Sequence, residues 1–454
     1  MISELSFKNF KSWQNFENVK FSAITAFFGT NSSGKTSIID FLLLLKQTIE
    51  SSDRSQVLEF GDINQYRQLG SFRDIIYNHE TSRELKFEIK LNFSENIKIS
   101  DPEIKNKDLF ADNKLIFATE ISQGKKRIYV QEMTYQFDEQ KFKVRKQEKD
   151  KYDYILSSES SNIGKRHNFK RAPGRAWSLP EPNKFYGFPD QTRTYYQNTD
   201  FLFDLQLTLE NTFSKIYYLG PLREYPKREY SWTGARPSDM GRRGERFLDA
   251  LLASRINEET ISRGYKKKRL TVEEYVAYWL KELGIIDSFS IEEIASGSNI
   301  YQVKVKRNPE SASVLLTDVG FGVSQILPIL TLCYYVPEGS TIIIEQPEIH
   351  LHPKIQSGLA DVFIDAIEKK KIQIVLESHS EHLLRRLQRR ISEEAINSNR
   401  VSAYFCKNEK SESVIESLEI DEYGNIRNWP LDFFGNEMEE ISAITKANIK
   451  RKSI

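Results

Sequence analysis

The sequence predicts an α/β fold with a β-rich first lobe, a helical second lobe and no coiled-coil arms. Three observations carry that expectation. Residues 29–36 read G-T-N-S-S-G-K-T, between the apolar run 24–28 and an apolar, helix-patterned segment 38–45. Two runs, T-I-I-I-E at Thr341–Glu345 and K-I-Q-I-V-L at Lys371–Leu376, are suited to strands buried on both faces. Stretches at Leu85–Phe93 and within 114–142 alternate apolar with polar residues in strand fashion. With 454 residues, 39% of them hydrophobic, the chain is long enough for a sizeable core and two or three substructures.

The glycine-rich segment fits the P-loop pattern G-x-x-x-x-G-K-[ST] in its strand-to-helix setting. Gly29 and Gly34 let backbone N–H groups turn inward around phosphate oxygens at the positive end of the following helix. Lys35 would reach the β- and γ-phosphates of ATP as a point charge, and the Thr36 hydroxyl would sit on the Mg²⁺ that bridges them. Asn31, Ser32, Ser33 and Ser37 complete the expected nucleotide contacts. A Gly/Ser turn that matches by chance is the competing explanation.

The strand T-I-I-I-E ends in E-Q-P-E-I-H-L-H-P, a Walker-B-like tip. Nucleotide hydrolases place a carboxylate here to hold the Mg²⁺ shell, often with a second beside it to polarise the attacking water. Glu345 takes the metal position and Gln346 the catalytic one. Gln346 orients a water but cannot accept its proton, so hydrolysis is expected to be slow unless another base serves. Glu348, two positions on, is the expected substitute. An ordinary core strand and turn would leave the cluster of Glu345, Glu348, His350 and His352 unexplained. After the second buried run, E-S-H-S-E-H sets His379 between Ser378 and Ser380, where it can contact the γ-phosphate. Alone, such a histidine is more often structural; its position after the Walker-B-like strand favours the functional role.

The segment D-V-G-F-G-V-S-Q-I-L-P, Asp318–Pro328, can expose backbone N–H groups at a helix start, and Gly322 precedes Glu345 by 23 residues (345 − 322). With this loop in place the order of motifs resembles the ABC-type ATPases of the SMC, RecF and OLD-like branch. The resemblance implies an ABC-type P-loop fold and a signature loop that reaches across a dimer to cap the partner's γ-phosphate, here through Gly320, Gly322 and Ser324. The loop departs from the family's L-S-G-G-Q, which leaves open which residue replaces the signature serine. A helix-capping turn is the alternative.

Further strings strengthen the likeness: F-K-N-F-K-S at 7–12, L-G-S-F-R-D at Leu69–Asp74 and Y-L-G-P-L-R at Tyr218–Arg223. The tail D-E-Y-G-N-I-R-N-W-P-L-D-F-F, Asp421–Phe434, resembles a C-terminal domain of unknown function found on a subset of predicted bacterial ABC-type ATPases. The resemblance implies that E-Q at the strand tip is natural to this subset. It also implies a homodimer or higher homo-oligomer, and a role like that of the ATPase subunits of Septu-, PARIS- or retron-associated anti-phage systems. There a separate nuclease or toxin acts, with DNA or a phage-derived protein as further candidate partners. A RecF- or SMC-like ATPase of DNA repair or maintenance is the alternative, and a transporter-coupling ATPase a more remote one.

Organisation follows from what lies between the motifs. Residues 1–100 are expected to hold the first part of the ATPase, 101–215 a β-rich then loop-rich insertion, 216–390 the helical lobe with signature loop, Walker B and switch histidine, and 391–454 the family tail. Helical spacing returns at Phe247–Leu252 and Val272–Leu283. No heptad repeat fills the interval of 316 residues from Gly29 to Glu345 (345 − 29).

A net charge of +1 gives no global argument for nucleic acid, so local patches must carry any such contact. Lys165–Trp177 and Arg263–Arg269, the latter with Lys266, Lys267 and Lys268, combine charge with rings; solvated surface is the commoner explanation. Arg385–Arg390 is expected to cover a core helix. Arg223 is a candidate for a phosphate or interface contact, or for a structural ion pair. The two cysteines, Cys333 and Cys406, argue against a disulfide framework and a zinc hook. The start of the sequence has no signal-peptide core, and the apolar stretch 314–336, broken by Asp318, Gly320, Gly322, Gln325 and Pro328, is read as buried core. A cytoplasmic location is the expectation. About 75 residues follow His379 (454 − 379), too few for the TOPRIM nuclease domain of OLD-type relatives.

Overall fold

The computed structural model describes residues 1–100, 107–147, 154–160, 167–174, 178–410, 412–430, 433, 442–446 and 448. The chain opens with β1 (Ile2–Phe10) and β2 (Trp13–Lys20), then β3 (Ile24–Gly29), which runs through the glycine-rich loop into α1 (Lys35–Glu50). A single turn, α2 (Phe72–Ile75), precedes the strands β4 (Leu85–Ser100), β5 (Asp108–Gln123), β6 (Ile128–Phe137), β7 (Gln140–Lys146) and β8 (Tyr154–Ser160). Next come α3 (Gln191–Tyr195), α4 (Asp200–Ser214), β9 (Ile216–Leu219), β10 (Tyr230–Ser231) and α5 (Phe247–Ile256). The hairpin of β11 (Thr260–Ile261) and β12 (Leu270–Thr271) leads into α6 (Val272–Glu282), β13 (Ser288–Glu293), β14 (Ile300–Lys306), β15 (Val314–Leu315) and α7 (Phe321–Tyr335). The last part alternates β16 (Thr341–Glu345), α8 (Pro353–Lys370), β17 (Gln373–Glu377) and α9 (Glu381–Ser392), and closes on β18 (Val401–Glu409) and β19 (Glu412–Ser417).

The sheet that positions the site has six strands in the order β19-β18-β3-β17-β16-β9, all parallel except β19. Its inner strands β3, β17 and β16 are buried on both faces, which is why they read as apolar runs. Ile24, Ala26, Phe28, Ile342, Ile344, Ile374 and Leu376 belong to one core, shared with α5 to α9. Phe27, Ile343 and Val375 point the other way, into a core shared with α1, α4 and the antiparallel sheet. Each large side chain so buried contributes roughly 1.5–3 kcal/mol relative to exposure. The two cores clamp β3 and β17 from both sides, so the loop that leaves β3 starts from a rigid base.

The first lobe is a seven-stranded antiparallel sheet, β2-β1-β4-β5-β6-β7-β8. It bears out the β-rich reading of 85–93 and 114–142. Strand β4 ends at Ser100 and pairs along its length with β5, so the hairpin joins residues on both sides of the expected boundary at 100.

The second lobe is mixed rather than purely helical. Helices α5 and α6 occupy the expected places, α6 starting at a capping box in which Thr271 accepts from the Glu274 amide at 3.1 Å. A small antiparallel sheet, β10-β14-β13 with β15 on β14, shares their core through Phe289, Ile291, Val303 and Val305. The physical reason is period-two patterning in S-F-S-I-E-E and I-Y-Q-V-K-V-K, which presents one apolar face to the helices.

Of the apolar stretch 314–336, residues 323–336 are buried core in α7 and the residue after it, whereas 314–320, in β15 and the turn that follows, are half-buried or exposed apart from Leu316. Among the described residues no helix is long and apolar enough to cross a membrane. The longest described helix, α8, has 18 residues, so no coiled-coil arm occurs among the described residues. Both cysteines are free and buried, which pushes their thiols well above the usual range. Arg386 and Arg390 reach Asp361 of α8 at 2.8 and 2.6 Å, so the basic cluster of α9 ties two core helices together as expected.

Candidate nucleotide site

The loop between β3 and α1 wraps a cavity of about 240 Å³ lined by Asn31, Ser32, Ser33, Gly34, Lys35, Thr36 and Ser37. All the P-loop residues singled out in the sequence, apart from Gly29 at its entrance, therefore face one space. Two glycines make the shape possible. Gly29 has φ 139°, and a Cβ there would lie 2.0 Å from the Cys406 carbonyl oxygen of the neighbouring β18. Gly34, with φ 89°, caps α1, and a Cβ there would meet the Ser413 hydroxyl at 2.4 Å and the Trp13 indole nitrogen at 2.7 Å. The string F-K-N-F-K-S thus has a structural purpose: it leads to Trp13, whose Nε1 donates to the Gly34 carbonyl at 3.0 Å. Gly29→Ala is expected to cost about 1–3 kcal/mol of stability from backbone strain alone. Urea unfolding checks this, and a cost near zero would contradict the strained backbone at this position.

Lys35 is 3% exposed, and its Nζ donates to the carbonyls of Thr30 at 2.7 Å and Gly29 at 3.1 Å. Burial lowers its pKa, with the charges of Glu377 and Glu348 opposing. The ammonium thus lies in the curl of the loop, against carbonyls that anionic phosphate would outcompete.

Opposite the loop stand the tips of β16 and β17. These strands run parallel in register, with Glu345 beside Glu377. Gln346 follows at φ 44°, its N–H donating to the Glu377 carbonyl at 2.7 Å, and it lines the cavity together with Glu377 and His379. Burial and the Lys35 charge lower the His379 pKa, which keeps the imidazole neutral near pH 7. Gln346 and His379 therefore line the same cavity as the glycine-rich loop.

Two carboxylates stand elsewhere. Glu348 was expected to substitute as a base, but it is buried, and its oxygens accept from the His379 amide at 2.5 Å and the Ser378 hydroxyl at 3.0 Å. It fixes the turn that presents His379 and does not line the cavity. Glu345 was expected beside Thr36, yet the Thr36 hydroxyl donates to Glu377 at 2.9 Å. Glu345 instead accepts from the Tyr218 hydroxyl at 2.9 Å and from the Arg67 guanidinium. Burial pushes its pKa up to about 7 against the opposing Arg67 charge.

Glu377 and Arg67 were missed in the sequence. The signal for Glu377 was a second apolar run ending in Glu, as the first does; Arg67 lies two residues before the L-G-S-F-R-D string. Arg67 also reaches Asp40 of α1 at 2.5 Å and stacks over the Tyr218 ring. Asp40 in turn pairs with Lys11 at 2.5 Å. Arg223 makes no ion pair among the described residues. Its Nη2 donates to the Glu345 carbonyl at 3.2 Å, Nε and Nη1 are buried without partners, and burial lowers its pKa to about 10.

The expected signature loop is not part of this cavity. Gly320, the N-cap of α7, is exposed, and a Cβ there would meet nothing within 4 Å. Gly322 is half-buried near the His350 carbonyl, and Ser324 is buried beside Tyr230, Leu316 and Leu327. Of the basic patches, the 263–269 loop joins β11 to β12 and carries Tyr265, 89% exposed. Lys165, Arg166 and residues 175–177 of the other patch lie outside the described residues. In the tail, Phe433 packs edge-on against Phe405 and Phe28, docking this segment on the central sheet; residues 431, 432 and 434 lie outside the described residues.

Residues 24–385 match the family model described as "AAA domain, putative AbiEii toxin, Type IV TA system". Residues 396–444 match that of "Protein of unknown function (DUF3696)", a span that contains the whole of the string Asp421–Phe434 singled out in the sequence. No curated protein matches the chain. Similar solved structures include the SMC head domain from Thermotoga maritima, at 11% identity and TM-score 0.40, covering 92% of this chain and 99% of that one. The SmcHead bound to the C-winged helix domain of ScpA gives 12% identity and TM-score 0.45, with 92% and 98% covered. The Smc head domain with an extended coiled coil from Pyrococcus furiosus gives 11% and 0.42, with 92% and 96% covered.

Proposed function

The chain belongs to the family described as "AAA domain, putative AbiEii toxin, Type IV TA system", and from that membership we propose a slow, Mg²⁺-dependent ATPase that assembles around ATP and controls a separate nuclease or toxin in anti-phage defence. One observation supports the nucleotide reading above the others. Lys35, Thr36, Gln346, Glu377 and His379 come from three separate parts of the chain and line a single cavity. The loop amides and Lys35 bind and orient the phosphates, Gln346 positions a water, and neutral His379 offers a hydrogen bond to the terminal phosphate. The residues fit a divalent cation, since Thr36 and a strand-tip carboxylate offer the oxygen donors that Mg²⁺ takes. When bound, the cation neutralises phosphate charge.

Slow turnover follows from chemistry at Gln346, which has no proton-accepting oxygen of carboxylate basicity. Assembly around ATP rests on the exposure of Gly320 and on its not lining the chain's own cavity, which suits a cap supplied in trans with Gly322. Such an interface, made partly of ATP, stays closed while the nucleotide lasts. Gly320→Arg fills open space and leaves the fold intact, so it separates the two parts of the reading. The variant is expected to keep nucleotide binding by the single chain and to lose ATP-dependent assembly, measured by light scattering after size exclusion. Assembly equal to wild type would remove the trans role of this loop.

A RecF- or SMC-like DNA-binding ATPase is the second reading, favoured by the exposed ring of Tyr265 among Lys266, Lys267 and Lys268. It requires ATP-dependent, salt-sensitive duplex binding that falls when these three lysines are neutralised.

A further inference from the structure

We propose that Glu377, and not Glu345, is the carboxylate that holds the divalent cation of the bound nucleotide beside Thr36. The inference rests on the nucleotide reading and adds to it the identity of the metal-holding residue. Its starting point is an orphaned atom. Glu377 is 2% exposed, and its Oε1 accepts the Thr36 hydroxyl while its Oε2 has no hydrogen-bond partner. A buried carboxylate oxygen left unpaired costs on the order of 1–3 kcal/mol or more, so such a group calls for a missing partner. It lines the P-loop cavity, as Glu345 and Glu348 do not.

The neighbouring groups leave that partner unsupplied. Lys35 spends its donors on Thr30, Gly29 and Ser33. Arg67 serves Asp40 and Glu345. Glu345 and Glu377 lie side by side in register at the ends of adjacent strands, so their charges repel unless each is neutralised. Arg67 with Tyr218 serves the first, and a cation at Thr36 serves the second. Among the described residues no cluster of three or more acidic, His or Cys side chains could hold a metal alone. That suits Mg²⁺, which takes one or two protein oxygens and fills its shell with water and phosphate. Thr36 hydroxyl and Glu377 Oε2 are that pair.

The test compares binding of a fluorescent ATP analogue in Mg²⁺ and in EDTA for the full chain, with bound Mn²⁺ counted by electron paramagnetic resonance. Wild type is expected to bind tighter with Mg²⁺ by about tenfold or more, the scale of one charge-assisted contact. Glu377→Gln is expected to bring that ratio close to one and to lose the bound Mn²⁺, while binding in EDTA becomes no weaker than in wild type, because a negative charge beside the phosphates is gone. Glu345→Gln is expected to retain most of the ratio. The reverse pattern, with the ratio lost in Glu345→Gln and kept in Glu377→Gln, would overturn the assignment. If wild type binds no nucleotide in either medium, the nucleotide reading itself fails, and the assignment with it. Should Glu377→Gln not fold, Glu377→Asp keeps the charge and withdraws it by one methylene. A fall in its Mg²⁺ ratio at constant EDTA affinity supports the assignment, and an unchanged ratio contradicts it.

Discussion

Lys35→Ala is expected to weaken ATP binding about 10- to 100-fold, the worth of hydrogen bonds to a charged group, and to lower phosphate release by about 100-fold or more beyond that. The first loss follows from the removal of the only ammonium lining the loop's cavity among the described residues. The second follows because the charge that develops on the terminal phosphate would lose its nearest cationic side chain. The variant should still fold, since Lys35 in the nucleotide-free loop bonds only to local carbonyls and to Ser33. Lys35→Arg is expected to rescue little. A planar fork longer than an ammonium does not fit between the Gly29 and Thr30 carbonyls. Titration with a fluorescent ATP analogue, with phosphate release followed in the same samples, checks both parts; wild-type affinity in Lys35→Ala would disqualify the loop as the phosphate site.

The second large effect is on stability. Arg67→Ala is expected to destabilise the protein by about 3–5 kcal/mol, because it leaves buried carboxylates without their counter-charge. Glu345 is 3% exposed and among the described residues has only the Tyr218 hydroxyl as a further side-chain partner, while Asp40 retains Lys11. The cost should therefore come mainly through Glu345. The double variant Arg67→Ala with Glu345→Gln is expected to recover a measurable part of the loss, since the unpaired charge is gone. Urea unfolding of the two single variants and the double variant gives the coupling energy directly. Additive losses would show that Arg67 acts through packing on Tyr218 and not through charge.

Legibility in the sequence followed the range of the interactions. The P-loop could be read because its glycines, lysine and threonine act within eight consecutive residues, and the strand–loop–helix context was readable on either side. The strands β3, β16 and β17 could be read because double burial leaves an unbroken apolar run. The small sheet of the second lobe was missed although I-Y-Q-V-K-V-K alternates cleanly, because the neighbouring helical patterns of α5 and α6 drew the whole lobe into one class. Glu377 could not be weighed from spacing alone. Its meaning depends on β16 and β17 being adjacent, parallel and in register, which brings Glu377 within reach of Thr36, a residue 341 positions away. Glu348 misled for the opposite reason: it is close in sequence to Gln346, but the turn after β16 sends its side chain back toward Ser378 and His379. Arg67 comes from the irregular segment after α1, where no periodic pattern points to a partner.

If ATP completes an interface between two copies of this chain, the solution mass of the wild-type protein with and without Mg-ATP shows it most directly. Sedimentation equilibrium should give a mass that at least doubles on adding Mg-ATP and returns to the starting value as phosphate is slowly released. A mass indifferent to ATP, with phosphate appearing rapidly, would contradict both the shared site and the slow chemistry assigned to Gln346.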